Sequence, residues 1–153
     1  GQTSSIMKVR EATRDDFSPM FEILEEMAVD NAQFSINRNK SLALIANMID
    51  NPDSWIFLAM DGDVIAGMFA VVKTSPWYSD DPILDEGWVY VRRSHRTSRA
   101  VFHLIKEVKF LSQALGDLPV MVDVVTAHRS EAKVKLFNRY FKDVGEKNVF
   151  RRR

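Results

Sequence analysis

The sequence predicts an α/β fold: a mixed sheet with helices on both faces. Three observations predict it. Short apolar or β-branched runs alternate with segments whose apolar residues recur every three or four positions. Two of the apolar runs meet at an Asp-Gly, so part of the sheet is a hairpin. The later runs are separated by helical segments, as parallel crossovers require.

Residues 7–11, "MKVRE", alternate and read as a short strand. In "ATRDDFSPMFEILEEMAVD", Thr13 or Asp15 can cap a helix whose apolar residues Phe17, Met20, Phe21, Ile23, Leu24 and Met27 keep helical spacing. "NAQFSINRN" reads as a loop, and residues 41–49 as a shorter helix ended by "NPD". "SWIFLAMDGDVIAGMFAVVK" is the hairpin, with Asp61-Gly62-Asp63 supplying the positive φ angles of a tight turn. "TSPWYSDDPILDE" is a polar, proline-broken loop, and "GWVYVR" a strand. Residues 98–115 form a helix with Val101, Leu104, Ile105, Val108 and Leu111 on one stripe, broken by "GDLP". "VMVDVV" is a β-branched strand, residues 131–140 a short helix, and residues 141–151 a last strand or hairpin.

The chain of 153 residues has the length of one domain, expected over residues 7–153, with residues 1–6 read as a leader or cloning scar. Nearly half the residues are apolar, enough for a core. Lys plus Arg equals Asp plus Glu, so any electrostatic partner is met locally. The absence of cysteine excludes disulfides, thiolate metal sites and a cysteine nucleophile. His95, His103 and His128 have no HxxxH or HxH spacing, so no zinc site is expected. No apolar run is long enough to span a bilayer, and a cytoplasmic protein is expected.

The order of elements and the residues on them resemble the GNAT superfamily of N-acetyltransferases over residues 7–151. "MKVREATRDDFSPMFEILEE" resembles the family's opening strand and helix, and "WIFLAMDGDVIAGMFAVV" its second and third strands. "GWVYVRRSHRTSRAVFHLI" sits where the family has its fourth strand, pyrophosphate loop and third helix, and "VDVVTAHRSEAKVKLFNRYFKDVG" resembles the segments that follow. "HRTSRAVFHLIK" is similar to bacteriophage members of the family. The resemblance implies a GNAT-like mixed central sheet of six or seven strands flanked by four helices.

The family motif V-x-P-x-x-[QR]-x-x-G-x-[GA] meets this chain with departures. Val91 on its first position puts Arg96 on the [QR], but Arg99 and Val101 on the two small positions. Sliding by one puts Ser98 and Ala100 on the small positions and loses Arg96. The family's closing L-Y-E-K-L-G-F is here "LFNRYF", so Phe137 falls on the tyrosine that many members use as general acid.

The resemblance implies transfer of an acetyl group from acetyl-CoA to a primary amine. Tyr90 and Val91 match the strand backbone that holds pantetheine. Arg92, Arg96, Thr97, Ser98, Arg99 and Ala100 form the turn that takes the phosphates. A helix N-terminus offers unpaired N–H groups and a positive dipole end to an anion, and arginines add charge-assisted bonds. Arginines at a helix start oppose the dipole unless an anion joins them; the competing reading is a solvated surface turn. Glu86 is the first candidate base and Asp85 the second; "DPILDE" is otherwise an acidic loop. Tyr140 is the candidate acid, with Tyr90 and Tyr78 in reserve.

Substrate binding is assigned to Phe34, Trp77, Tyr78 and Asp85: an aromatic wall beside Asp80, Asp81, Asp85 and Glu86, which attract a cationic amine. His95 meets phosphate only, while His103 and His128 are surface or packing residues. The acceptor is a small molecule or a protein amine, and a homodimer is in keeping with the family. Two other functions compete. One is a GNAT-fold binding or assembly module that has lost the chemistry, consistent with the missing glycines and Phe137. The other is nucleic-acid binding through residues 92–99 and the "RRR" tail, which the neutral overall charge disfavours.

Overall fold

Local side-chain chemistry sets the helix starts. Thr13 and Asp16 form a capping box at the 3-10 turn Arg14–Asp16, with the Asp16 carboxylate accepting from the Thr13 N–H at 2.8 Å. Both Asp16 oxygens also accept from the Arg10 guanidinium at 2.8 Å. That fork, opposed by burial and aided by the Thr13 bond, holds the Asp16 pKa below the usual carboxylate range. Asn37 caps the next helix by accepting from the Lys40 N–H at 2.9 Å.

The structure, a computed structural model, describes residues 6–32, 34–123, 130–141 and 149–150. Its elements are β1 (Lys8–Glu11), α1 (Phe17–Asn31), α2 (Arg38–Asp50), β2 (Ser54–Asp61), β3 (Val64–Thr74), β4 (Ile83–Val91), α3 (Ala100–Ala114), β5 (Val120–Asp123), α4 (Ser130–Asn138) and β6 (Val149–Phe150). Strands lie side by side in sequence order. β1 to β4 are antiparallel; β4 with β5, and β5 with the two-residue β6, are parallel. β1 to β5 form the body of the sheet. The expected strand beyond α4 falls largely on residues 142–148, outside the described residues.

Two apolar layers sandwich the sheet. On one face Phe57, Phe69, Val71 and Leu84 pack against Leu104, Ile105 and Val108 of α3 and Phe137 of α4. On the other, Ile56, Leu58, Met68 and Ala70 pack against Met20, Ile23 and Leu24 of α1 and Ile45 and Met48 of α2. The expected hairpin is present. Gly62 opens its two-residue loop at φ +60°, a value easily reached without a Cβ.

Two features of β4 differ from the sequence reading, and both position the site. First, the strand begins at Ile83, so "ILDE" is strand and not loop. Burial decides this: Leu84 is fully enclosed and donates its N–H to the Pro119 carbonyl at 2.9 Å. Second, β4 carries a bulge at Gly87. Glu86 pairs with Val71 and Trp88 with Ala70, leaving Gly87 as the extra residue. The bulge inverts the strand's alternation. Leu84 and Glu86 face the α3–α4 side, whereas Trp88 and Tyr90 pack against the α1–α2 layer.

Candidate functional site

Among the described residues, β4 and β5 are paired at Leu84–Val120 and Asp85–Met121. Just past this pairing comes the Gly87 bulge, and β4 continues along β3 to Val91. The far end of β4 is pressed tightly to β3: a Cβ on Gly67 would sit 2.8 Å from the Tyr90 carbonyl oxygen. The chain then makes the turn 92–99 and enters α3 at Ala100.

The cations of this turn are engaged by carboxylates of distant elements. Arg93 binds Asp30 of α1 through Nε at 2.9 Å and through its second nitrogen, and Arg96 binds the other Asp30 oxygen at 2.5 Å. Arg92 Nε lies 3.5 Å from Glu26, one helical turn earlier. Glu26 also accepts the Arg93 N–H at 3.0 Å. The Tyr90 hydroxyl donates into the same cluster, with Asp30 at 2.5 Å and Glu26 at 2.9 Å. His95 Nε2 lies 2.9 Å from Asp61 at the end of β2, and its Nδ1 is 2.7 Å from the Ser94 hydroxyl.

This geometry moves the titrations. The Tyr90 hydroxyl, with the Arg93 and Arg96 guanidiniums, outweighs burial and holds Asp30 far below the usual carboxylate range. Burial pushes Glu26 up, but the Arg93 N–H, the Tyr90 hydroxyl and the Arg92 charge bring it net below its ordinary value. Burial, then the bonds to Asp30 and Glu26, drive the Tyr90 pKa well above that of a free phenol. The Tyr90 hydroxyl, a reserve acid in the sequence reading, is thus engaged by two carboxylates.

Ser98 and Ala100 serve the turn itself. The Ser98 hydroxyl donates to the His95 carbonyl and accepts the Ala100 N–H at 3.2 Å, and Ala100 is fully buried where α3 starts. Thr97 is exposed. Arg99 is also exposed, with its Cζ 5.0 Å above the Phe102 ring. The Phe102 ring in turn lies 6.2 Å from that of half-buried Tyr140. A row of side chains thus links the exposed end of the turn to the candidate acid.

Glu86 reaches the α4 side, where the Lys133 Nζ lies 2.7 Å from its Oε1; the side chains are 6% and 12% exposed, respectively. The candidate base is therefore an ion-paired strand residue and not part of an acidic loop. Asp85, its expected reserve, faces the opposite side of the sheet. Phe137 is 7% exposed and packs edge-on to Phe69 at 5.9 Å, so the position of the family's acid tyrosine belongs to the core here.

Of the residues expected to form an aromatic wall, Phe34 follows α1, and Trp77 and Tyr78 precede β4. All three rings are exposed, and Trp77 packs edge-on to Tyr78 at 5.5 Å. His128 lies outside the described residues.

Glu26, Asp30, Asp61 and Lys133 were missed by sequence reasoning. The only local signal was the Glu26–Asp30 spacing of one helical turn; the pairings themselves span more than sixty residues for α1. Among the described residues no group of three His, Asp or Glu side chains is placed to hold a metal ion.

Solved structures that the chain resembles include acetyltransferases. A possible acetyltransferase from Clostridium difficile 630 superposes with a TM-score of 0.73 at 13% identity, covering 97% of this chain and 98% of the other. AAC(6')-Iy, in complex with the bisubstrate analogue CoA-S-monomethyl-acetylneamine, gives 0.73 at 15% identity, with 97% and 99% covered. A GNAT family acetyltransferase from Staphylococcus aureus gives 0.59 at 14% identity over 74% and 82%. The fold is that of the GNAT acetyltransferases. At these identities the likeness establishes the fold alone. The sequence matches no protein-family profile and no curated protein. None of the three names points to a bacteriophage. Among the described residues no helix is long and apolar enough to cross a membrane.

Proposed function

We propose that the chain is an N-acetyltransferase that moves an acetyl group from acetyl-CoA to a primary amine in a ternary complex. The observation that supports this reading is the Gly87 bulge in β4, just past the last described β4–β5 pair, on the strand that leads through the arginine turn to the N-terminus of α3. In this reading a pantetheine arm lies along the backbone of Tyr90 and Val91. The phosphates meet the N–H groups of the first turn of α3, the Thr97 hydroxyl and Arg99. Arg92, Arg96, Ser98 and Ala100 shape the turn. The four arginines of residues 92–99 exceed the two α1 carboxylates by two charges, which suits a doubly charged pyrophosphate.

The amine nitrogen attacks the thioester carbonyl carbon, the C–S bond breaks as the tetrahedral oxyanion collapses, and CoA leaves as a thiolate. Glu86, beside Lys133, accepts the amine proton through water, and Tyr140 returns a proton to sulfur. The acceptor is a cationic small-molecule amine. Exposed Asp80 and Asp81, next to Trp77 and Tyr78, favour such a ligand, and the AAC(6')-Iy complex carries an acetylneamine portion. The site of action is the cytoplasm, where acetyl-CoA is drawn upon.

The second reading, a GNAT-fold binding module without chemistry, is favoured by one observation: Phe137 is buried where the acid tyrosine is expected. Thermal unfolding with acetyl-CoA and desulfo-CoA, followed by an amine panel with a thiol reagent, separates the two. The absence of cysteine leaves that reagent no protein background. Acetyl-CoA at a hundred times its Kd is expected to raise Tm by roughly 5–10 °C. Thiol release with any amine supports the enzyme. A Tm shift without release across the panel supports the binding module. No shift at millimolar ligand rejects CoA as the ligand.

A further inference from the structure

We propose that Glu26, Asp30 and Asp61 are positioning residues of the anion site, holding the turn after β4 in its ligand-binding shape before any ligand arrives. The proposal rests on reading that turn as an anion site. Four guanidiniums within eight residues repel one another and favour an open, mobile loop. The structure answers three of them with carboxylates of α1. Asp30 joins Arg93, Arg96 and the Tyr90 hydroxyl in one cluster. Glu26 fixes the Arg93 backbone N–H at 3.0 Å, and so orients the chain and not only a side chain. Asp61, at the end of β2, lies 2.9 Å from His95 Nε2.

The pinned positions stop at Arg96. From Thr97 to Arg99 the turn has no carboxylate partner among the described residues, and this stretch leads directly into the first turn of α3. The division has a physical logic. Side chains anchored in advance lose little freedom when an anion binds, so the cost of ordering the turn is met in folding and not in binding. It also separates two roles that a cluster of arginines obscures. Arg92, Arg93 and Arg96 form the scaffold, and Arg99 is the contact.

The experiment compares wild type with Asp30→Asn, which keeps the shape and removes the charge, and with Asp30→Glu, which restores the charge. Amide hydrogen exchange of residues 92–99 is measured without ligand, and CoA binding by calorimetry. Expected are faster exchange across the turn and about tenfold weaker CoA binding in Asp30→Asn, with partial recovery in Asp30→Glu. In turnover, KM for acetyl-CoA rises more than kcat falls. Unchanged exchange overturns the proposal, as does faster exchange with unchanged CoA affinity. Should Asp30→Asn not fold, Glu26→Gln and Asp61→Asn carry the same test. If wild type binds no CoA, the acetyltransferase reading and the anion-site role fall together, and the exchange arm alone then shows whether the carboxylates hold the turn.

Discussion

At its C-terminal end β4 runs into four arginines, and α1 answers three of them with Glu26 and Asp30. At its N-terminal end it follows Trp77, Tyr78, Asp80 and Asp81, which stay exposed; Trp77 is 95% so. One strand thus connects a charge cluster consumed by the fold to one left facing solvent. In the sequence the two looked alike, each a charged stretch beside a strand. The difference shows that charge density alone does not identify a binding surface. What matters is whether the fold supplies the counter-charge. The first cluster is mostly ion-paired within the fold, with Arg99 exposed. In the second, Trp77, Tyr78, Asp80 and Asp81 face solvent.

The largest effect tests where the N-terminal end of β4 begins. Leu84→Ala removes a fully buried side chain and is expected to cost about 2–5 kcal/mol in urea unfolding. A cost below about 0.5 kcal/mol would return residues 83–86 to the loop the sequence suggested. Next comes the contact at the other end. Arg99→Ala is expected to weaken CoA binding about 10- to 100-fold, with unfolding free energy changed by no more than about 0.5 kcal/mol. An equal loss from Arg96→Ala without any loss of stability would erase the division between scaffold and contact.

Acid titration addresses the scaffold. Asp30, Glu26 and Asp16 all have pKa values lower in the folded chain than in the unfolded one. Their contribution to stability is therefore complete above the unfolded carboxylate values near about 4 and is lost as pH falls through the lower folded values. Thermal unfolding is expected to show Tm dropping below about pH 4, less steeply in Asp30→Asn. The smallest effect belongs to the exposed loop. Trp77→Ala combined with Asp80→Asn is expected to leave unfolding within about 0.5 kcal/mol of wild type while raising KM for a polycationic acceptor. A large loss of stability would show that the loop covers a core edge.

The helical stripe of α3 and the β2–β3 hairpin were legible because each is specified within some twenty residues. Leu104, Ile105 and Val108 are buried as their spacing implies, and Gly62 takes the positive φ that its turn needs. The bulge at Gly87 was not legible. It follows from how β4 fits against β3, and it alone sends Glu86 to one face and Trp88 to the other. The partners of the arginines were hidden for a different reason. Asp30 and Arg96 meet only after α1 has packed on the sheet, and nothing local to either residue specifies the other. Lys133, the partner of Glu86, comes from α4 and was equally out of view.

The central claim is that the turn after β4 is where CoA binds. The most direct measurement is amide hydrogen exchange of the wild-type protein with and without saturating CoA. Protection is expected along residues 88–103, from the strand edge past the bulge through the first turn of α3, with residues 75–82 unchanged. Protection confined to another part of the chain, or none at a concentration where calorimetry detects binding, would contradict the account.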